Sequence, residues 1–590
     1  MELLYLYVHN DNKSIKGCEY NFSPNYKFTY NATTKTFHME WHKNNVPNKW
    51  FGDNILNITA IIGKNASGKT NLLECIIKSL CGQGGGWIIC LYEGQLYSNV
   101  PTLYSEIKFL FEVKRFNRWG SPLNGEFEER INNTEVIFYS TSIDRALSNK
   151  NSYYSKFKDI SNAFLLRKHI YEIGNTPDFA HISDIDVMQT GDVFRLLLFL
   201  IYTRDGSQNI ISSFKLPTYI ELTFHAYNHS NLDHPTYKEL SKGLTDSFQD
   251  QIKLKIIQRI FALASIPDAW NNTTSFEEVI SVLNTRAEYG YNIYDLLLDL
   301  FHRKAIRYKQ PLQRASMGGD APLTFGVYID FIDYGFVNAL YNYYYAIPKV
   351  LPYASNRAFD KNTSNTWVTI KYGVSSGERI LYTLLARILG SIFEKQGEIH
   401  YVHERRIVNS HYFDGKTIIL LLDEPDLQLH PEWQQKFLNI LLSSFAKFFP
   451  KVMFQIIITS HSPILISDIP RSNILFIEKR DGYSRVCTPI RHKETFAANI
   501  HTLYNDSFFL EGVPIGDFAK CKIQEIYNRL NNAEISPEIL KEIYRIGEPI
   551  IRGLLLKVYD SKRQNLAPNV RKQYLIEELK KIEDSEKENI

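Results

Sequence analysis

The sequence predicts an α/β fold on a mostly parallel sheet, split by a mainly α-helical insertion and followed by a helical C-terminal region. Three apolar runs carry that expectation. Ile58 to Ile62 leads into the glycine-rich stretch Gly63-Lys-Asn-Ala-Ser-Gly-Lys-Thr70. Thr417-Ile-Ile-Leu-Leu-Leu ends on Asp423-Glu424-Pro425, and Gln455-Ile-Ile-Ile-Thr-Ser ends on His461. Unbroken β-prone runs of this kind read as strands buried on both faces, the mark of parallel pairing. Chemistry-bearing residues lie just beyond each run.

The first element matches GxxxxGK(S/T) between a strand and the helix-prone Asn71-Leu-Leu-Glu-Cys-Ile-Ile. Such a loop turns backbone N–H groups onto phosphate oxygens at a helix N-terminus. Gly63 and Gly68 permit the turn, Lys69 supplies a charge for the β and γ phosphates, and Thr70 offers a hydroxyl to Mg²⁺. Lys64, Asn65, Ala66, Ser67 and Asn71 complete the expected ATP-binding stretch, with ATP and Mg²⁺ as its ligands. Alanine avoids positive φ, so a right-handed backbone is expected at Ala66.

The second element places Asp423 at a strand end, where it would hold Mg²⁺ through water, and Glu424 beside it to polarise an attacking water. Ahead of it, Ser375-Ser376-Gly377-Glu378 opens a helical stretch from Arg379. A small-residue helix start suits a γ-phosphate, and the same four residues also suit an ordinary capped helix. His461 closes the third run as a further candidate catalytic residue beside Glu424 and Lys69.

In the order phosphate loop, Ser-Ser-Gly-Glu, Asp-Glu strand and His strand, these segments resemble an ABC-type AAA family ATPase head of the RecF, SMC and OLD kind. Asp423-Glu-Pro-Asp-Leu-Gln-Leu-His-Pro431 and Ser460-His-Ser-Pro463 are similar to segments of OLD-like and Septu-type ATPases of bacterial phage defence. The resemblance covers the head portions only. It implies heads that dimerise around ATP, with Ser375, Ser376, Gly377 and Glu378 of one copy facing the phosphate loop of the other. It also implies a separate effector, an HNH-type nuclease or a toxin. A RecF-like DNA repair ATPase and a low-turnover, nucleotide-bound scaffold are the alternatives. No Gln marks a Q-loop in Glu135 to Asp144.

At 590 residues, and at about 150 residues per domain, the chain has room for up to four units. We expect an N-terminal head lobe at 1–145, a mainly helical insertion at 146–365, a C-terminal head lobe at 366–495 and a helical region at 496–590. A hairpin or loop is expected between His400 and Gly415. The insertion lacks sustained heptads, so a compact lid or arm is expected rather than a long coiled coil. With 67 basic against 64 acidic residues, no global field draws the chain to nucleic acid, and any contact with double-stranded DNA must be local. The basic run from His302 to Arg314, with Arg303, Lys304 and Arg307, suits such a contact and equally a solvated helix face. The six cysteines form no CxxC pair, and no apolar run approaches membrane-span length, so a reducing, cytoplasmic setting is expected. A metal-dependent nuclease of the TOPRIM type needs an Asp-x-Asp after its Glu-ended strand. Ile474 to Glu478 has the strand and lacks the pair.

Overall fold

The β-branched and leucine-rich runs at 55–62, 134–139, 417–422 and 453–458 lie side by side in one sheet. The computed structural model describes residues 1–42, 46–47, 49–81, 84–101, 104–115, 134–142, 157–166, 184–204, 323–329, 368–393, 415–487, 494–500, 516–532 and 534–564, parts of 209–224, and scattered positions between. It divides into two units, Met1–Phe509 and Leu510–Ile590. Within the first, the elements in chain order begin with β1 (Glu2–Asn10), β2 (Lys16–Asn21), β3 (Tyr26–Asn31), β4 (Thr36–Trp41), β5 (Ile55–Gly63) and helix α1 (Lys69–Leu80). Then come β6 (Trp87–Tyr92), β7 (Gln95–Ser98), β8 (Lys108–Phe109), β9 (Lys114–Arg115), β10 (Thr134–Ser140), β11 (Phe157–Asp159) and α2 (Asp184–Arg204). They continue with β12 (Asn209–Ile211), β13 (Phe214–Lys215), β14 (Tyr219–Phe224), β15 (Leu323–Tyr328), β16 (Val368–Tyr372) and α3 (Ser376–Phe393). The last are β17 (Thr417–Asp423), α4 (Pro431–Phe448), β18 (Met453–Thr459), α5 (Pro463–Ile466), β19 (Ile474–Arg480) and β20 (Tyr483–Cys487).

The central sheet runs β11-β10-β17-β18-β5-β19-β20, parallel throughout except for the β19–β20 hairpin. Alternate residues of each strand feed two different cores. Ile58, Ile62, Leu420, Leu422, Ile456 and Ile458 face one core with α2, α3 and α4. Ile61, Leu421, Ile457 and Ile477 face the other with α1, β1 and β6. Burial on both faces explains why these strands show no polar alternation in sequence. The register sets Ser140 opposite Asp423 and Asp423 opposite Thr459, so the strands end level at one edge of the sheet.

A second sheet, β2-β1-β6-β7-β9, covers the α1 side. Gln455, buried in mid-strand, ties it to the central sheet: its Oε1 accepts from Leu3 N at 2.7 Å and its Nε2 donates to Leu3 O at 2.8 Å. Behind β1, the small β3-β4-β8 sheet packs Phe28 and Phe37 onto Tyr5.

Residues 157–166 and 184–204 lie within the stretch read from sequence as an insertion, yet they join the central sheet and the helices that cover it. β11 pairs with β10, and Asp192 on α2 accepts from buried Arg387 on α3 at 2.7 and 2.6 Å. The strand at 474–480, considered above for a separate nuclease, sits between β5 and β20 in the central sheet. The 400–415 segment falls almost wholly outside the described residues, as do Arg303, Lys304 and Arg307. Among the described residues, no helix is long and apolar enough to cross a membrane.

In the second unit, α6 (Asp517–Asn531), α7 (Pro537–Tyr544) and α8 (Pro549–Gln564) bury Ile526, Leu530, Ile539, Ile543, Leu555 and Tyr559. Ser536 caps α7 by accepting from Ile539 N at 3.3 Å, with Pro537 at the first helical position.

Candidate nucleotide-binding site

The glycine-rich loop joins the end of β5 to the start of α1. A side chain on Gly63 would collide with the Ile477 carbonyl and Ser67, and one on Gly68 would collide with the Ser484 hydroxyl. Gly68, capping α1, has φ +99. Ala66 has φ +61, which overturns the right-handed backbone expected there. A left-handed turn aims successive N–H groups into one concavity, and an alanine accepts it at a cost of about 1–2 kcal/mol. Ser67 Oγ is buried with no partner among the described residues, a polar atom left for a ligand.

At the level strand ends six side chains converge: Thr70, Asp423, Thr459, Lys69, His461 and Glu424. Thr70 Oγ1 lies 3.2 Å from Asp423 Oδ2, and Thr459 donates to Asp423 Oδ1 at 2.7 Å. Lys69 Nζ lies 2.8 Å from His461 Nε2 and donates to the carbonyls of Gly63 at 3.1 Å and Lys64 at 3.4 Å. His461 Nε2 in turn lies 3.2 Å from Glu424 Oε1, which is 4.0 Å from Lys69 Nζ. Glu424 has φ +49, and its N–H is shared between the carbonyl and hydroxyl of Thr459.

The electrostatics follow from these contacts. Burial lowers the Lys69 pKa, although Glu424 and Asp423 pull it the other way. The hydrogen bond from His461 holds the Glu424 carboxyl below the usual range, against its partial burial. Burial raises the Asp423 carboxyl, with Thr459 and Thr70 opposing. A buried ammonium, a glutamate held ionised and a buried carboxylate bonded, among the described residues, only by neutral hydroxyls suit a polyphosphate carrying a divalent cation.

Ser375 and Glu378 form a reciprocal cap on α3. Glu378 Oε2 accepts from the Ser375 N–H and hydroxyl at 2.8 Å each, and Ser375 Oγ accepts from Glu378 N at 3.3 Å. Ser375 and Ser376 are exposed, whereas Gly377 is buried against the Trp433 indole, which leaves no room for a side chain.

Sequence reading missed the brace around the phosphate loop. Ser484, at the start of β20, donates through its hydroxyl to Ser67 O at 2.5 Å and through its N–H to Ser14 O at 2.7 Å. Asn71, expected to face ATP, gives its amide to Ser14 Oγ at 2.7 Å. Lys13 pairs with Glu74 on α1. No motif marks serines this distant in sequence. Thr459, facing Asp423 across the strand pair, was legible only as the last β-prone residue of its run.

Residues 279–467 match the family described as "AAA domain, putative AbiEii toxin, Type IV TA system", a span that holds Ser375 to Glu378, Asp423, Glu424 and His461. The phosphate loop precedes it. A 71-residue stretch is 34% identical to the "Retron Vc95 probable ATPase" of Vibrio cholerae serotype O1 biovar El Tor, over 12% of this chain and 13% of that relative. The chain therefore matches only a small part of that relative's length. Over residues 279–467 the chain is thus similar to an AAA domain, and Asp423, Glu424 and His461 of the strand-end cluster fall inside that stretch.

Proposed function

We propose that this chain is the ATP-hydrolysing ABC-type ATPase subunit of a bacterial anti-phage defence complex, which dimerises around ATP and controls a separate effector. The convergence of Lys69, His461, Glu424, Asp423 and Thr70 on the loop at Gly63–Thr70 carries the reading. The loop N–H groups and Lys69 would bind the phosphates, and Asp423 and Thr70 would hold Mg²⁺. The ion, when bound, neutralises charge on the phosphate oxygens.

Lys69 now docks on His461 and two carbonyls, so binding a polyphosphate requires it to leave them. Glu424 would then accept a proton from a water whose oxygen bonds to the γ phosphorus as the bond to the β–γ bridging oxygen breaks, giving ADP and phosphate. Without nucleotide, the hydrogen bond from His461 favours the ionised form of Glu424, the form that can accept that proton. His461 would hydrogen-bond the γ-phosphate oxygens.

Exposed Ser375 and Ser376 at the start of α3 support a contact with the loop of a second copy. The family described as a putative toxin of a type IV toxin–antitoxin system and the retron ATPase support the defence setting. Light scattering of Glu424→Gln with ATP tests the dimer: a doubled mass is expected, and a mass unchanged by nucleotide contradicts it.

A further inference from the structure

His461 is held through both of its chain neighbours. The Ser460 hydroxyl donates to Asp426 Oδ2 at 2.6 Å, and its oxygen accepts from Ser462 N at 2.8 Å. The Ser462 hydroxyl donates to Gln434 Oε1 at 2.7 Å. Gln434 Nε2 donates to the carbonyls of Asp426 at 3.2 Å and Leu429 at 3.0 Å. Ser460, Ser462 and Asp426 are all buried. Gln434, on the first turn of α4, thus joins the turn that leaves Asp423-Glu424 to the turn that carries His461. Its amide oxygen accepts while its nitrogen donates twice, a pattern that neither leucine nor glutamate reproduces. The preceding residue, Trp433, is the indole against which Gly377 packs.

We propose that Gln434 is a positioning residue for hydrolysis: with Asp426 it fixes Ser460–Ser462 so that the His461 imidazole meets Lys69 and Glu424, and through Trp433 it ties that geometry to the start of α3. The proposal rests on the reading of the site as an ATPase. It is separate from that reading because it assigns the work of alignment to a helix that touches no expected ligand.

The test compares Gln434→Leu in the full chain with wild type, each also in a His461→Ala background, for ATP turnover and for affinity toward a fluorescent non-hydrolysable ATP analogue. Gln434→Leu is expected to lower kcat by roughly 10- to 100-fold, the order of loss that a misplacement of about 1 Å brings. Analogue affinity should stay within about twofold, and the substitution should cost nothing further without His461, as expected for two residues acting as a unit. An equal fold-loss in both backgrounds, or turnover within about twofold of wild type, overturns the proposal. Ser462→Ala against Ser462→Thr, which restores the hydroxyl, decides the matter if Gln434→Leu does not fold. If the wild type itself shows no turnover, the ATPase reading fails. The proposal is then decided on the ¹³C-labelled ring resonance of His461, identified by its loss in His461→Ala. A shift in Gln434→Leu supports it, and an unmoved resonance overturns it.

Discussion

Lys69 Nζ and His461 Nε2, 392 residues apart in sequence, lie 2.8 Å apart, and the same ring nitrogen is 3.2 Å from Glu424 Oε1. One imidazole nitrogen either accepts from an ammonium or donates to a carboxylate, and cannot do both at once. Lys69 and Glu424 therefore compete for His461, and drawing Lys69 onto a phosphate leaves the ring free to donate. The site is poised by this competition rather than by a fixed proton position.

Lys69→Met should abolish nucleotide binding, a loss of about 100-fold or more for removing a charge-assisted contact set. The free protein should be no less stable for it, because burial already disfavours the charged form. With the folded pKa below the unfolded value of 10.5, the penalty is fully present below the folded pKa and fades as pH rises toward the unfolded one. Thermal melts across the alkaline range should show wild type gaining on the variant, and a constant gap would contradict the assignment.

Ala66→Gly should raise stability by about 1 kcal/mol by relieving the left-handed alanine, with nucleotide affinity kept or improved. A β-branched residue there, Ala66→Val, should lower both. Denaturant midpoints and analogue titrations check the pair, and a destabilised Ala66→Gly would argue against the positive φ.

Ser484→Ala deletes the hydroxyl that holds Ser67 O. At about 1 kcal/mol for one hydrogen bond, analogue affinity should fall by roughly fivefold. Gly68→Ala, colliding with that same hydroxyl at φ +99, should lose binding outright. Equal affinities for wild type and Ser484→Ala would show that the hairpin does not brace the loop.

Ser375 has a structural duty as the cap of α3, so loss of activity in Ser375→Ala alone proves little. Glu378→Ala removes the same reciprocal cap and is the control; each substitution should cost about 1 kcal/mol of stability. A contact between Ser375 and the nucleotide of a second copy predicts a further fall in turnover for Ser375→Ala only. Matching turnover in the two variants would leave the motif as a helix cap.

The parts legible in sequence were those whose chemistry is local. The loop at Gly63–Thr70 and the carboxylates at 423 and 424 announce themselves because an apolar run ends on them, and the structure sets these ends level. Ser484 and Gln434 were invisible for the opposite reason. Their partners Ser67 and Ser462 lie 417 and 28 residues away, and a serine or glutamine carries no signal until the fold supplies its partner. β11, three residues long, is too short for periodicity to mark, so the edge of the sheet was read as insertion. At Ala66 residue preference was a poor guide, because the loop's need to aim its N–H groups outweighs the modest cost of a left-handed alanine.

Steady-state phosphate release by the purified chain, wild type beside Glu424→Gln and with and without double-stranded DNA, tests the central claim. Turnover that vanishes in Glu424→Gln while ATP binding persists is the expected result, since the substitution removes the acceptor and keeps the shape. Equal turnover in both proteins, or none in a wild type that binds ATP, would contradict an ATPase built on Glu424.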